Sequence, residues 1–308
     1  MSFDRMIEKI VETQNPTVAG LDPKLAYIPS YILDGAVAKY GKTLEAAAAA
    51  LLEYNKGLID ALCDIVPAVK PQSAYYERLG WPGMSMLEKT IRYAHEKGMY
   101  VIADIKRGDI GSTAEAYADA WLGVTKVGEA LCGGFNADCV TLNGYMGADS
   151  VNPFLKVAGE RDKSVFILAK TSNPGSGELQ NVAAGEGDTV YGLMADLIEK
   201  WGAGTEGKHG YTRAGAVAGA TYPEELQKLR ARMPHTFLLV PGYGAQGGTA
   251  EDVQYAFQEN GRGAVVNSSR GIICAWQKTG KNGADYQEAA RAAAIAMRDD
   301  ICRFIAIQ

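Results

Sequence analysis

Short apolar runs rich in Val, Ile, Leu and Ala recur along the chain, and longer segments with apolar residues every three or four positions lie between them. The short runs are typical of buried strands, and the longer spacing is typical of amphipathic helices. The runs predict strands at 17–21, 68–71, 100–105, 139–142, 165–170, 215–218, 237–240 and 264–267. The periodic segments predict helices at 44–65, 85–97, 114–131, 190–200, 223–231, 250–259 and 286–305.

This alternation of strands and helices predicts an α/β fold, a (β/α)8 TIM barrel, as a single domain over residues 1–308. A doubly wound open sheet is the alternative, although it usually has fewer strands and one switch point. We see no repeat, linker or shift in composition that would divide the chain. Extended loops follow strand one (22–43) and strand five (176–212), and in a barrel both lie on the catalytic face. The second is either a lid or a structural flap.

Charge and composition narrow the function. The 308 residues carry a formal net charge of −5, which argues against nucleic acid or an anionic membrane as partner but does not exclude an anionic small molecule. The longest apolar run, 46–52, is far shorter than the ~20 residues of a membrane span, and the N-terminus does not resemble a secretory signal. Five cysteines without a Cys-x-x-Cys pair and three scattered histidines predict reduced thiols and no metal. We therefore expect a cytoplasmic protein.

The densest group of charges is Asp104-Ile-Lys106-Arg-Gly-Asp109, at the end of the predicted third strand. Side chains two positions apart on a strand point to the same face, so Asp104 and Lys106 should lie together. Charged groups removed from water are costly unless they are paired, and such clusters are common at functional sites. The group therefore predicts a catalytic site; the alternative is a surface ion pair that closes a loop.

A second lysine extends this cluster. Lys70 lies on the predicted second strand, where a buried ammonium needs a carboxylate partner, and Asp104 on the neighbouring strand is the natural candidate. The residues Lys70, Asp104, Lys106 and Asp109 would then form a row of alternating charge. Such a row can hold Lys106 protonated and fixed, ready to donate a proton.

The predicted seventh and eighth strands end in residues suited to binding phosphate. Gly242-x-Gly244-x-x-Gly247 formally matches a dinucleotide fingerprint, but no acidic residue follows at the required distance, which argues against a dinucleotide site. In a barrel, phosphate is often bound by the loops after strands seven and eight. Thr249 could cap the next helix, and Arg270 would be the charged arm of the clamp, with a structural salt bridge as the alternative.

Taken together, these motifs resemble the orotidine 5′-phosphate decarboxylase family. The resemblance rests on Asp22 after strand one, Lys70 on strand two, Asp-x-Lys-x-x-Asp after strand three and Pro241-Gly-x-Gly-Ala-Gln246 and Arg270 after strands seven and eight. The runs Lys-Thr-Ser-Asn-Pro-Gly at 170–175 and Asn-Ser-Ser-Arg at 267–270, with the chain length, resemble the longer bacterial-type group. The motifs span the whole predicted barrel and agree in order.

The resemblance implies decarboxylation of orotidine 5′-monophosphate to UMP, the last step of de novo pyrimidine synthesis, without a cofactor or metal. It implies that Lys106 donates a proton to C6 of the pyrimidine. It places Asp104 beside the departing carboxylate, and Lys70 between Asp104 and the ribose hydroxyls. Asp109 corresponds to an acid that crosses the interface of a homodimer to complete the partner's site.

The resemblance also implies the binding residues. Asp22 corresponds to the ribose-binding acid and Ser172 to the serine that contacts the pyrimidine, while Gln246 and Arg270 correspond to groups on the phosphate side. Ser269 occupies a position where shorter relatives commonly have glycine. The predicted substrate-binding set is Asp22, Ile110, Thr113, Asn143, Ser172, Pro241, Gln246, Ser269 and Arg270.

Two other functions stay open on the sequence. A sugar-phosphate decarboxylase or synthase of the same barrel group resembles the Asp-x-Lys-x-x-Asp motif but needs Mg²⁺, so activity in EDTA separates the two. A nucleotide-binding protein without catalysis would use Arg270 and Gln246. It would gain nothing from a carboxylate at Asp104 beside an anionic ligand.

Overall fold

A computed structural model describes residues 2–185, 187–244 and 247–308. In the described residues, eight parallel strands form a closed barrel, and two further strands form a separate hairpin. The strands are β1 (Thr17–Leu21), β2 (Ala68–Pro71), β3 (Tyr100–Arg107), β4 (Val124–Val127), β5 (Ala130–Gly133), β6 (Cys139–Leu142), β7 (Ser164–Lys170), β8 (Ala214–Ala218), β9 (Leu238–Val240) and β10 (Ala264–Ser268). Around the barrel the order is β1-β10-β9-β8-β7-β6-β3-β2, so the eight barrel strands follow one another in chain order. The prediction of a (β/α)8 barrel is confirmed.

The helices cover the outside and one end of the barrel. They are α1 (Ser2–Thr13), α2 (Ser30–Tyr40), α3 (Leu44–Leu62), α4 (Ala74–Glu77), α5 (Gly80–Glu96), α6 (Gly111–Trp121), α7 (Ala148–Arg161), α8 (Gly177–Gln180), α9 (Val190–Gly202), α10 (Pro223–Arg232), α11 (Ala250–Val253), α12 (Arg270–Ile273) and α13 (Tyr286–Ile301). Short 3-10 turns join several of them. Nowhere in the described ranges is a helix both long and apolar enough to cross a membrane.

The helix predicted at 114–131 is wrong in its second half. Helix α6 ends at Trp121, and the chain then forms the antiparallel hairpin of β4 and β5. Glycines punctuate this segment: Gly123 precedes β4, and Gly128, at the turn between the two strands, has a φ of 59°. Glycine disfavours helix and takes positive φ without strain, so residues 124–127 and 130–133 pair as strands instead.

Helix α1 was not among the predicted helices, although its apolar residues have helical spacing. Phe3, Met6, Ile7 and Ile10 are buried and pack against side chains inside the barrel at the amino ends of the strands. The ring of Phe3 lies 5.0 Å from that of Phe166 on β7. The helix thus closes one end of the barrel, and the opposite end, where the strands finish, stays open to solvent.

Two strands lose their regular register near this open end. The pairing of β3 with β6 shifts between Ala103 and Arg107, and that of β7 with β8 shifts between Leu168 and Lys170. An irregularity of this kind bends a strand and changes where its side chains point. A lysine lies within or at the edge of each shift, namely Lys106 and Lys170.

Candidate active site

The carboxyl ends of the barrel strands surround a cavity of about 700 Å³. Most of the site residues predicted from the sequence lie in its wall, although they come from separate parts of the chain. Those that line it are Asp22, Lys70, Asp104, Lys106, Ser172, Pro241, Ser269 and Arg270.

Four charged side chains form a row of alternating sign across the ends of the adjacent strands β1, β2 and β3. The Nζ atom of Lys70 lies 2.7 Å from Oδ2 of Asp104 and 3.9 Å from Oδ1 of Asp22. The Nζ atom of Lys106 lies 2.6 Å from Oδ1 of Asp104. The row therefore begins at Asp22 and ends at Lys106, not at Asp109 as the spacing predicted.

The inner members of the row are buried, and the last one is open to the cavity. Lys70 is 4% exposed and Asp104 is 5% exposed, whereas the side chain of Lys106 is 46% exposed. Burial acts to raise the pKa of Asp104, but the positive charges of Lys70 and Lys106 outweigh it and hold that pKa well below its ordinary value. Burial acts to lower the pKa of Lys70, but Asp104 and Asp22 outweigh it and raise that pKa. Asp104 is thus a carboxylate, and Lys70 an ammonium, throughout the neutral pH range.

Thr141 on β6 organises the shifted end of β3. Its hydroxyl accepts hydrogen bonds from the backbone N–H groups of Ile105 and Lys106, each over 3.0 Å, and donates one of 2.7 Å to Oδ1 of Asp104. Lys106 has a φ of 47°, in the left-handed region that non-glycine residues rarely adopt. The hydroxyl of Thr141 thus uses its full bonding capacity to hold the backbone that carries Lys106.

The wall opposite β1 is formed by the segment after β7, described at residues 171–185 and 187–189, which we name the β7 loop. Its residues Thr171, Ser172 and Gln180 line the cavity. The backbone of Ser172 packs against β8: a β-carbon at Gly219 would lie 3.0 Å from Cα of Ser172. Only glycine permits this approach without displacing Ser172.

The ends of β9 and β10 form the remaining side, where the sequence predicted a phosphate site. Pro241, Ser269 and Arg270 line the cavity there, and Lys24, from the segment after β1, adds a second cation. Strands β1 and β2 lie between Arg270 and Lys106 in the barrel. The cavity therefore has positive charge in two separate places, as a ligand with two anionic groups requires.

Two predictions on this side have different outcomes. Thr249 caps helix α11 as expected: its side chain accepts from the N–H of Asp252, whose carboxylate accepts from the N–H of Thr249. Gln246, predicted on the phosphate side, lies outside the described residues.

Four predicted residues do not line the cavity of their own chain. Asp109 accepts a hydrogen bond of 2.8 Å from the N–H of Ile110 and forms no ion pair within the described part of the chain. Ile110 and Thr113 are exposed at the start of α6. Asn143 is also exposed, and its side chain accepts from the N–H of Tyr145.

The sequence did not single out several residues that belong to the site. Thr141 lies two residues before Asn143, which the sequence analysis chose as a binding residue. The role of Thr141 depends on the register shift in β3, which the sequence does not show. Lys24 and Gln180 come from the long connections, whose course the strand pattern does not predict. The signal for Lys24 was its place two residues after Asp22; further lining residues are Tyr27, Tyr75, Thr171, Asn173, Tyr243 and Asn267.

No three His, Cys, Asp or Glu side chains among the described residues are close enough together to hold a metal ion. The donor groups of the cavity are instead ammonium, guanidinium, hydroxyl and amide groups, which bind anionic and hydroxylated organic molecules.

The closed barrel, with an ammonium presented beside a buried carboxylate at its open end, defines a TIM-barrel enzyme that performs acid–base chemistry on an anionic small molecule. The comparisons with known proteins agree. The model of the family described as "Orotidine 5'-phosphate decarboxylase / HUMPS family" matches residues 42–281. The chain belongs to this family, and the resemblance inferred from the motifs is confirmed.

Relatives and solved structures match along nearly the whole chain. An orotidine 5'-phosphate decarboxylase of Rhodopirellula baltica is 43% identical over 296 residues, which cover 95% of this chain and 96% of that protein. One of Clostridium perfringens is 40% identical over 301 residues, covering 98% of each. The structure of Leishmania donovani OMP decarboxylase superposes with a TM-score of 0.72 at 31% identity, covering 97% of this chain and 98% of that one. The chain is thus similar to these proteins in length, sequence and fold.

Proposed function

We propose that this chain catalyses the decarboxylation of orotidine 5′-monophosphate to UMP and CO₂, the final step of de novo pyrimidine biosynthesis, without a cofactor. The observation that carries the proposal is the ammonium of Lys106, which is open to the cavity and lies 2.6 Å from a buried carboxylate. Family membership and relatives named for this activity support it. All five cysteines are free thiols, which suits the cytoplasm, where we place the reaction.

The chemistry requires stabilisation of negative charge at one carbon atom. The bond from C6 to the carboxylate breaks, CO₂ leaves, and the electron pair stays on C6 as a carbanion with little resonance stabilisation. Lys106 then donates its proton to C6, giving UMP, and is reprotonated from solvent. An ammonium held in place beforehand stabilises the developing charge without reorganisation at the moment of reaction. Asp104 holds this ammonium in place. The negative charge of Asp104 also lies beside the substrate carboxylate and therefore favours the departure of neutral CO₂.

The second group of cations binds the phosphate in this proposal. Both Arg270 and Lys24 lie in the cavity wall. Arg270 follows β10, which β1 and β2 separate from β3 and Lys106, and Lys24 follows β1. Contacts with a phosphate remote from the reacting carbon provide binding energy that aligns the pyrimidine against Lys106. Ser172 contacts the pyrimidine, and Asp22 together with Lys70 binds the ribose hydroxyls.

We also propose that the enzyme is a homodimer in which Asp109 completes the partner's site, beside Ile110 and Thr113. Asp109 is at the mouth of the barrel but outside its own cavity. Exposed apolar side chains accompany it on the same rim: Ile110 is 56% exposed and Tyr145 is 74% exposed. The two segments are joined, because the N–H of Asn143 donates to the carbonyl of Arg107 over 2.8 Å. An apolar surface of this kind is typical of a subunit interface.

The test is the change in ultraviolet absorbance of orotidine 5′-monophosphate when purified protein is added in the presence of EDTA. Rapid conversion to UMP supports the proposed substrate and metal independence together. If orotidine 5′-monophosphate is not converted in EDTA but a sugar phosphate is turned over with Mg²⁺, the chain is instead a sugar-phosphate decarboxylase or synthase of the same barrel group. Binding of UMP without turnover of either substrate would make the chain a nucleotide-binding protein and overturn the proposal.

A further inference from the structure

Lys170, the last residue of β7, is a buried cation that the proposed reaction does not use. It is 1% exposed, less than any other charged residue in the described ranges. An ammonium removed from water to this extent is costly unless several groups compensate it. Its surroundings therefore call for an explanation beyond the packing of the barrel.

The shifted register of β7 directs Lys170 away from the cavity. Leu168 lines the cavity, and strict alternation would point Lys170 the same way. The pairing with β8, however, passes from Leu168–Val217 to Lys170–Ala218, so that two steps on β7 oppose one on β8. The side chain of Lys170 consequently lies outside the barrel, beneath the helices.

Four side chains in or next to three helices surround the ammonium, and we name them the Lys170 cage. Nζ of Lys170 donates to Oδ1 of Asn181 over 2.5 Å and lies 3.5 Å from Oε2 of Glu225. It also lies 5.1 Å from the ring centre of Tyr191 and 5.3 Å from that of Tyr222, within the range of cation–π attraction. Asn181 follows α8, Tyr191 is in the first turn of α9, and the other two residues flank the start of α10.

The cage connects directly to the cavity wall. Asn181 is the neighbour of Gln180, whose side chain accepts from the N–H of Thr171 over 2.9 Å and donates to its hydroxyl over 2.8 Å. On the other side, the carbonyl of Lys170 accepts from the N–H of Gly219 over 2.9 Å, next to the point where Ser172 meets β8. The ammonium thus holds both ends of the segment that presents Thr171, Ser172 and Gln180 to the cavity.

We propose that Lys170 is a positioning residue: its buried ammonium, through the Lys170 cage, holds the β7 loop so that Ser172 meets the pyrimidine ring of the nucleotide. The proposal rests on the function proposed above and adds to it that this wall is fixed by a charge and is not a freely moving lid. Loss of the charge should therefore weaken recognition of the base and leave recognition of the sugar phosphate intact.

The experiment compares Lys170→Met with a matched control, Lys163→Met. Lys163 directly precedes β7 at its other end, and its side chain is also largely buried, 3.7 Å from Asp138. Affinities for UMP and for ribose 5-phosphate are measured by calorimetry, with the thermal midpoint of each variant. We expect Lys170→Met to weaken UMP binding about tenfold, the scale of one or two lost hydrogen bonds, with ribose 5-phosphate unaffected. Lys163→Met should lower the thermal midpoint alone.

A double-mutant cycle tests whether Lys170 acts through Ser172. The effects of Lys170→Met and Ser172→Ala on UMP affinity should be less than additive, whereas those of Lys170→Met and Arg270→Ala should add, because these sites do not touch. Equal losses for UMP and ribose 5-phosphate, or additive effects with Ser172→Ala, would overturn the proposal.

A milder variant provides the test if the Lys170→Met protein does not fold. Tyr222→Leu removes one ring of the cage at an exposed position, and it should weaken UMP binding in the same selective way, while Lys170→Arg restores most of the affinity. Failure of the wild-type protein to bind UMP would instead refute the proposed function.

Discussion

The hydroxyl of Thr141 on β6 donates a hydrogen bond of 2.7 Å to Oδ1 of Asp104 on β3, the same oxygen that pairs with Lys106. Through this hydroxyl the neighbouring strand sets both the carboxylate and the backbone beneath the proposed proton donor. Without the hydroxyl, the backbone N–H groups of Ile105 and Lys106 would lose their partner, and Asp104 would keep Lys106 but lose one hydrogen bond.

For that reason Thr141→Val, which has nearly the same shape, should reduce kcat by about tenfold or more and destabilise the fold by about 1–3 kcal/mol, the cost of leaving buried polar groups unpaired. Steady-state kinetics and urea unfolding measure the two effects. Thr141→Ser keeps the hydroxyl and should behave almost like the wild type. Unchanged kcat in the valine variant would show that Lys106 holds its position without Thr141.

Lys106→Ala should abolish turnover, because it removes the proton donor and the charge that stabilises the carbanion. The side chain is half-exposed, and Lys70 still pairs with Asp104 in the variant, so the protein should fold and bind UMP. The ultraviolet assay measures turnover, and circular dichroism checks the fold. Near-normal turnover in this variant would refute Lys106 as the proton donor.

Arg270→Ala should raise the KM for orotidine 5′-monophosphate by more than about tenfold, or ~1.5 kcal/mol, the scale of a charge-assisted hydrogen bond. Arg270 lines the cavity on its phosphate side in our proposal. Uridine, which lacks the phosphate, serves as the control ligand, and its affinity should be the same in both proteins. An unchanged KM would remove Arg270 from the phosphate site.

Asp104→Asn should cost of the order of 3 kcal/mol of stability at neutral pH, as expected when a buried ion pair loses one partner. The folded-state pKa of Asp104 is lowered, so its contribution is complete above the unfolded-state pKa of about 3.9 and is lost as the pH falls toward the lowered value. The pKa of Lys70 is raised, so the contribution of that residue is complete below about pH 10.4 and is lost at higher pH. Urea unfolding at pH 7, 5 and 3.5 measures the difference in free energy of unfolding between the wild type and Asp104→Asn. This difference should be the same at pH 5 as at pH 7 and smaller at pH 3.5. A constant difference at all three values would contradict the sign of the shift.

Mixed dimers test whether Asp109 acts across an interface. Asp109→Asn and Lys106→Ala should each be nearly inactive alone. In a mixed dimer, one site carries both changes and the other site is intact. Random subunit exchange makes about half of the dimers mixed, so it should restore about a quarter of the wild-type activity. Mixing two preparations of Lys106→Ala is the control. No recovery after confirmed exchange would place Asp109 in the site of its own subunit or outside both.

The barrel itself was predictable from local sequence, because each strand is a short apolar run that ends where polar residues begin. The hairpin of β4 and β5 was not, since its apolar residues fit a helical spacing and only glycines such as Gly128 argue against it. Helix α1 has clear helical spacing, but its role in closing the barrel depends on a cavity that forms only when the strands meet.

What the sequence by itself determined is the family, the order of the strands and the residues at their carboxyl ends, including the approach of Lys106 to Asp104. These follow from periodicity and from motifs, which are local properties of the chain. The tertiary structure alone decided that Asp22 begins the charged row, that Thr141 supports it and that Lys170 turns out of the cavity. Each of these depends on the register between neighbouring strands, and a shift of one residue in pairing, at β3 or β7, changes the neighbours of a side chain without any change in its own sequence.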